Sequence, residues 1–365
     1  MQAEIVTAAE RLDQVGPAWE RLWQRSDGSV FQSHGWVSGW WAAQGARSGL
    51  RLHIGLCWDG EDLAAVIPCV TRRHRGVRVL EWAAKECSDY CDAIAGPEAQ
   101  DALARTWQAV VAAGGFHVIY LSHVRPGAAL PQLFEAGRTI PAGLRLGTRA
   151  EQTLQVRGNG LTGAGWFRTL PKKVRNNHTR GKRILEELGT LSIGAVDGPG
   201  IAGTLDRMVQ FKSTWLDATM QRNTLLDSGA LGLRSLVDTL RQRQALQVFS
   251  ITCGGELVAG LVNIVRGNRA AAFFSAFDRR FDRASPGTVI IVELLLWAFD
   301  HGIPEVDFLC GDEPYKFKFA NARTELASYV GARTLLGRAA LAAGEWADRS
   351  RPNPAAVKPA RLAAA

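Results

Sequence analysis

The sequence predicts an α/β (α+β) chain built as two related halves, each a mixed sheet flanked by helices. Its 365 residues are enough for two domains of ordinary size, each able to bury a core. Both halves read in the same order: helices, an antiparallel strand pair, a crossover helix and a further strand. Segments of the two halves also echo one another, with WDGEDLAAVIPCV beside TCGGELVAGLVNIV and FHVIYLS beside IPEVDFLC. One short insertion or deletion reconciles the registers, and a duplicated unit follows; the alternative is common strand chemistry in two unrelated segments.

Hydrophobic periodicity places helices near 8–25 and 33–45 and strands at 51–58 and 62–70, with Asp59-Gly60-Glu61 as a hairpin signal. An irregular stretch carrying SDYCDAIAGP leads to a helix at 99–113 and a strand at 116–122. In the second half, a strand at 245–252 turns through Cys253-Gly254-Gly255-Glu256 into LVAGLVNIV. AAFFSAF, a helix over 287–301 and a strand over 305–309 follow. Between the halves, 151–243 reads as largely helical, and Lys172 to Leu188 put Val174, His178, Gly181, Leu185 and Leu188 on one face. Gly189 stops that helix before a strand at 190–196. The expected domains are 1–150 and 151–336, with an Ala/Arg/Pro-rich tail over 337–365 read as a helix fraying into disorder.

Composition narrows the class. Hydrophobic residues at 47% and charged residues at 21% fit a folded globular protein, and most of the twelve tryptophans belong in cores or a cleft. The N-terminal residues lack an apolar h-region, and the longest apolar run, Thr288 to Phe299, is short for a bilayer and contains Glu293. A cytoplasmic protein is expected. Six cysteines without regular spacing fit reduced thiols, and the Cys87–Cys91 pair lacks a second pair at zinc spacing, so no metal is expected. A net charge of +8 and pI near 9.4 suit a polyanionic ligand, with nucleic acid, an acidic membrane surface and coenzyme A all open. Hydrolase, kinase and dehydrogenase motifs are absent.

The chemistry concentrates in 271–320. A strand leads into a loop with Arg279, Arg280 and Arg283, and Ser285-Pro286-Gly287-Thr288 then opens a strongly apolar helix. Free amides and a partial positive charge favour an anion at a helix start, and a pyrophosphate suits one beside arginines; an ordinary helix capped by Ser285 is the other reading. Glu293, alone among apolar neighbours, must reach a partner, a cleft or solvent. The basic residues Lys172, Lys173, Arg175, Arg180, Lys182 and Arg183 either bind phosphates or form a solvated face. His34 and His178 read as surface or core histidines.

Several motifs occur in an informative order: Phe31, Ser33, Trp36 and Trp40 as F-x-S-x-x-W-x-x-x-W, then L-P-K-K-V-R, S-P-G-T and G-D-E-P-Y-K-F-K-F. Together they resemble the CelD-type GNAT acyltransferases, a family distantly similar to the FemAB aminoacyl transferases, over about residues 30–330. The resemblance implies tandem GNAT-like domains, with 1–150 on the acceptor side and 151–336 on the donor side. It implies acyl-CoA as co-substrate, its pantetheine between strands 271–277 and 305–310 and its pyrophosphate on the loop Arg283 to Thr288. That loop lacks the usual glycines of the family.

Transfer of an acyl group to an amine needs a base, a polarised carbonyl and a proton for the departing thiolate. Asp312 and Glu313 stand where a base is useful, Tyr315 can supply the proton, and Lys316 can hold a phosphate or carboxylate. Amides around Ser275 and Ala276 can polarise the carbonyl, and Arg279, Arg280, Ser285, Gly287 and Thr288 can hold the donor. Asp89, Tyr90 and Asp92, with Lys173 and Arg175, are candidates for binding a small amine or amino sugar. An N-cap and first-turn role for Asp312 and Glu313, and an Asx turn at 88–92, are the structural alternatives. Two other functions stay open: a FemAB-like transferase using aminoacyl-tRNA, against which the missing charged helical hairpin speaks, and a non-catalytic binding or scaffold protein.

Overall fold

A computed structural model describes residues 1–97, 99–135, 144–147, 151–196, 198–220, 223–311 and 313–343. The chain begins with β1 (Gln2–Val6), α1 (Ala9–Gln14), α2 (Gly16–Gln24), α3 (His34–Ala43), β2 (Arg51–Leu52), β3 (Ile54–Asp59), β4 (Asp62–Ile67), β5 (Cys69–His74) and β6 (Val77–Trp82). It continues through β7 (Ile94–Ala95), α4 (Gln100–Ala113), β8 (Val118–Val124), α5 (Ala129–Glu135), β9 (Arg145–Leu146) and β10 (Glu151–Arg157). Then come α6 (Gly163–Thr169), α7 (Lys172–Leu188), β11 (Leu191–Ala195), α8 (Gly198–Thr219), α9 (Asp227–Gln242), β12 (Leu246–Cys253) and β13 (Glu256–Arg266). The last described elements are β14 (Arg269–Phe277), α10 (Pro286–Asp300), β15 (Glu305–Cys310), β16 (Ala322–Ala332) and α11 (Leu335–Ala342).

Two compact units result. Unit 1 holds Met1–Glu151, Leu231–Thr239 and the segment from Glu325; unit 2 holds Gln152–Ala230 and Leu240–Thr324. In unit 1, β1-β3-β4-β7 form one sheet, and β16-β8-β6-β5-β2 run in that pairing order, with β9 also on β16. Its core gathers Ile67, Trp82, Leu103, Trp107 and Leu121. In unit 2 the pairing order is β11-β12-β13-β14-β15-β10. The interior strand β13 is buried from Leu257 to Ile264, so its sequence reads as a continuous apolar run rather than an alternation. Helix α10 lies in the core of unit 2, with Val289, Ile290, Leu294 and Leu295 buried, which explains why it is apolar all round.

The internal echo has a structural counterpart. Asp59 pairs with Asp62 in unit 1 as Cys253 pairs with Glu256 in unit 2. Parallel β6 and β8 bracket α4 as parallel β14 and β15 bracket α10. The sequence reading missed the strand that completes this match. It treated the stretch before helix 99–113 as irregular, whereas β5 and β6 form a hairpin through Arg75 (φ 44°) and Gly76 (φ 83°), the two positive φ angles a two-residue turn requires.

Other differences have local causes. The helix expected at 8–25 is two helices, because Val15 ends α1 and Pro17 lies in the first turn of α2. Residues 151–157, expected within a helical region, form β10, which pairs antiparallel with β15. Residues 325–343, assigned by sequence to the second domain and the start of the tail, fall in unit 1, where β16 pairs with β8 and α11 packs on β6 and β8. The part of the tail beyond 343 lies outside the described residues. All six cysteines are free thiols, five of them buried. Among the described residues no helix is long and apolar enough to cross a membrane.

Candidate active site

Unit 2 contains a wedge between two parallel strands. Arg269, Ala270 and Ala271 of β14 pair with Glu305, Val306 and Asp307 of β15, and among the described residues the parallel pairing goes no further. Beyond that point β14 stays with β13, out to Phe277 opposite Ala259, while β15 stays with β10, out to Cys310 opposite Thr153. The two strands therefore follow different neighbours, and alternate residues of Ala272–Phe277 turn main-chain N–H and C=O groups toward the gap. An extra residue at Phe273 interrupts the β13–β14 register between Val262 and Asn263. Ser275 and Ala276, expected to polarise a carbonyl, lie on this stretch, paired with Leu261 and Gly260.

The segment after β15 carries most of the expected catalytic residues. Lys316 is 3% exposed; its Nζ donates to the Cys310 carbonyl and lies 2.9 Å from Glu313 Oε2. An ammonium so enclosed by its own chain serves as a clamp on this turn, whereas the sequence reading expects Lys316 to hold a phosphate or carboxylate. Gly311 makes the clamp possible: it sits at φ +120°, and a Cβ there would lie 2.3 Å from Glu313 Oε2 and 2.9 Å from Lys316 Nζ. Glu313 keeps its side chain 40% exposed. Burial, reinforced by the Glu313 charge, pushes the Tyr315 hydroxyl above the ordinary tyrosine range, so it stays protonated at neutral pH. Asp312 lies outside the described residues.

Lys212 joins this group and was not singled out from sequence. Helix α8 packs closely on β13, where a Cβ on Gly260 would lie 2.4 Å from Met208 Sδ, and Lys212 follows one turn later. Its ammonium stands 4.5 Å from the Trp215 ring centroid. Burial lowers its pKa and the charge of Glu313 acts in the opposite direction. The sequence offers only a lysine three residues before a tryptophan within a stretch read as largely helical.

The start of α10 is less open than the sequence suggests. Ser285 occupies the N-cap in a left-handed conformation (φ 50°, ψ 54°) and makes no side-chain cap. Its carbonyl accepts from both Thr288 and Val289 amides, its own amide donates to Asp282, and Pro286 has no N–H. That leaves the Gly287 amide, beside the Phe277 ring, whose nearest atom would lie 3.3 Å from a Cβ on Gly287. Arg280 pairs with Asp278 at 2.7 Å and Glu256 at 2.9 Å, and Arg279 reaches Asp282 at 3.4 Å. Arg279 and Arg280, expected to hold the donor, thus each have acidic neighbours while staying exposed; Arg283 is exposed and has no acidic partner among the described residues.

The basic helix α7 packs on the same region. A Cβ on Gly181 would lie 2.3 Å from the Ala284 carbonyl, so α7 and the start of α10 approach closely. Glu293 meets its partners here: Oε1 accepts from His178 Nε2 and Lys182 Nζ, each at 2.8 Å. These bonds outweigh burial and hold the Glu293 carboxyl below its ordinary range. Lys173 is exposed, and Arg175 is half-buried with its Nε enclosed and unpaired among the described residues.

In unit 1, two of the residues expected to bind an acceptor make contacts within the fold. Asp92 accepts from the Ala129 and Leu130 amides at 2.6 and 3.1 Å and so caps α5. Burial pushes its carboxyl up to about 6. The buried Tyr90 takes a hydrogen bond from Gln32 on its carbonyl and carries Arg125 over its ring at 4.9 Å. Asp89 is half-buried beside them.

Comparison with known proteins agrees with this geometry. Residues 172–317 match the family profile described as an acetyltransferase (GNAT) domain. No curated protein matches the chain. Among solved structures, FemX aligns with 94% of this chain and 99% of its own at 10% identity and a TM-score of 0.58. The C-terminal domain of a protein assigned as a lysylphosphatidylglycerol synthetase, from Agrobacterium fabrum, aligns with 91% of this chain and 95% of its own at 15% identity and a TM-score of 0.56. A protein of unknown function from Bacteroides thetaiotaomicron covers 90% of this chain and aligns over 100% of its own, at 9% identity and a TM-score of 0.52. At such identities the likeness shows the fold alone. Residues 172–317 of unit 2 are therefore similar to acetyltransferase domains of the GNAT type, and the enzyme class of the chain is acyltransferase.

Proposed function

We propose that the protein is a CelD-type N-acyltransferase that moves an acyl group from acyl-CoA directly to the amine of a small molecule or amino sugar. The observation that carries this reading is the parting of β14 from β15 after three residue pairs, next to the turn holding Glu313 and Tyr315. A thioester arm suits the gap, because the unpaired strand edge is flanked by Ala271, Ala272, Ser275 and Ala276, which are small. At the far end, the Gly287 amide and Arg283 are the groups left to meet a pyrophosphate. Acyl-CoA supplies an activated thioester when bound.

The chain's own residues supply the rest. Amides on the open edge of β14 near Ser275 hydrogen-bond a carbonyl oxygen and stabilise negative charge that develops there. The Glu313 carboxylate, tethered by Lys316 yet open to solvent, takes the proton from an incoming ammonium at its free oxygen. The Tyr315 hydroxyl holds its proton for the leaving group. Lys212 positions Glu313 through charge. We place the donor in the second domain and assign acceptor recognition to the first, with Lys173 and Arg175 on α7 as further contacts.

Release of free thiol from acetyl-CoA or a longer acyl-CoA, scanned over amines and amino sugars, tests this reading. Thiol release should fall by about 10²-fold or more in Glu313→Gln and about 10-fold or more in Tyr315→Phe. Full activity in both variants would remove these residues from the mechanism. A second reading, aminoacyl-tRNA as donor, draws on the FemX likeness across 94% of the chain and on the acid-paired arginines at the start of α10. Filter binding with charged tRNA at physiological salt, where non-specific phosphate binding collapses, decides between the donors.

A further inference from the structure

Unit 1 contains a cationic cavity that acyl transfer does not use. It measures about 420 Å³, and its walls include Arg73, Arg78, Arg333, His117 and Thr334, with no acidic residue among the described residues lining it. Several other arginines meet carboxylates: Arg11 with Glu4, the neighbouring Arg72 with Glu81 and Glu86, Arg157 with Glu305, and Arg280 with Asp278 and Glu256. Arg73, Arg78 and Arg333 meet none among the described residues.

Two further features separate this cavity from a solvated basic face. Arg73 and Arg78 stand directly opposite one another in the β5–β6 ladder, in the hairpin closed by Arg75 and Gly76. Like charges at directly facing positions destabilise a sheet, so the ligand-free fold carries a repulsion that an anion between them would relieve. Arg333, in turn, is held in place. Its Nε donates to the Val111 carbonyl at 3.0 Å, and its guanidinium lies 5.7 Å from the Phe116 ring centroid. It fills the notch left by Gly114, where a Cβ would lie 2.8 Å from Nη2. With Nε engaged and the plane fixed, the two Nη groups are pre-aligned for an oxyanion. Thr334 starts the eight-residue helix α11, accepts from the Gly337 amide at 3.1 Å and meets His117 Nδ1 at 3.0 Å, adding the positive end of a helix to the same wall.

We propose that this cavity binds a phosphate or diphosphate group, either of a soluble phosphorylated compound or of a lipid headgroup. Three arginines converging on a space of this size match a polyanion rather than a single carboxylate. The site is separate from the wedge of unit 2 in its residues and does not depend on the identity of the acyl donor.

Calorimetric titration of the full chain with inorganic pyrophosphate at low ionic strength tests it. Saturable binding is expected, with Kd weakened about tenfold or more in Arg78→Gln and in Arg333→Gln. Arg73→Gln should raise the Tm of the ligand-free protein while weakening binding, an outcome that misfolding cannot mimic. Sedimentation with vesicles of phosphatidylglycerol in phosphatidylcholine separates the two sources: co-sedimentation lost in the same variants assigns a lipid headgroup, and pyrophosphate binding without co-sedimentation assigns a soluble ligand. Absence of both, or wild-type binding in Arg78→Gln and Arg333→Gln, overturns the proposal.

Discussion

Replacing Gly311 by alanine probes the turn on which the candidate active site rests. The new Cβ would sit 2.3 Å from Glu313 Oε2 and 2.9 Å from Lys316 Nζ, at a φ of +120° that side-chain-bearing residues rarely adopt. Backbone strain of this kind costs about 1–3 kcal/mol. Glu313, with its side chain 40% exposed, can swing outward, but Lys316 is 3% exposed and would keep only the Cys310 carbonyl. Breaking a fully buried ion pair costs about 3–5 kcal/mol; with one partner reaching solvent we take roughly 1–2 kcal/mol. The sum is about 2–5 kcal/mol, or roughly 5–15 °C in the Tm of unit 2. Thermal melts of Gly311→Ala beside Glu313→Gln separate the parts, because the second variant loses the pair without strain and should cost about 1 kcal/mol. A Gly311→Ala protein within about 0.5 kcal/mol of the parent would refute the clamp.

Three more outcomes follow from the same structure. Gly181→Ala drives a methyl group to within 2.3 Å of the Ala284 carbonyl; it should cost about 2–4 kcal/mol in denaturant unfolding, and a neutral result would show that α7 and α10 are not in contact there. Asp92, raised from 3.8 to about 6 by burial, keeps a proton in the folded state that the unfolded chain has already lost. Stability should therefore fall by roughly 2 kcal/mol as pH rises from 4 to 6 in the parent relative to Asp92→Asn, the remainder being lost above pH 6, and parallel pH curves would contradict this. Ser285→Gly removes a left-handed serine whose side chain makes no cap, so it should stabilise by roughly 0.5–1 kcal/mol; a loss of stability in urea melts would mean that the hydroxyl has a structural partner.

What sequence could reveal divided along physical lines. Elements with a strong period or a long apolar run were legible: α7, bounded by Pro171 and Gly189, and α10, β13 and β14 appear within a few residues of their expected ends. Strand β6 was missed because VRVLEW follows directly on a charged hairpin, and a turn made by Arg75 and Gly76 lacks the Asn-Gly or Asp-Gly signature. Strands β10 and β16 carry Glu151, Arg157, Arg323 and Glu325 among their apolar residues, so composition did not mark them as strands. The site was legible as a region but not in its roles. The sequence brought Glu313, Tyr315 and Lys316 together; only burial separates a clamp from a proton donor, and only helix packing brings Lys212 to Glu313. Arginines at 279 and 280 looked free because their partners, Asp278 and Glu256, matter through geometry that spacing does not encode. The pairing of Glu293 with α7 follows the rule that a lone carboxylate in an apolar helix must find a partner, although the rule does not say where.

Hydrogen exchange of the main-chain amides of Ala272–Ala276, with and without acetyl-CoA, tests the central claim most directly. If the gap between β14 and β15 receives the acyl donor, the alternate amides of this stretch that face the gap should slow by about tenfold or more on addition of acetyl-CoA, with no comparable change in β6 or β8. Unchanged exchange across Ala272–Ala276 at saturating acetyl-CoA, or protection confined to unit 1, would contradict it.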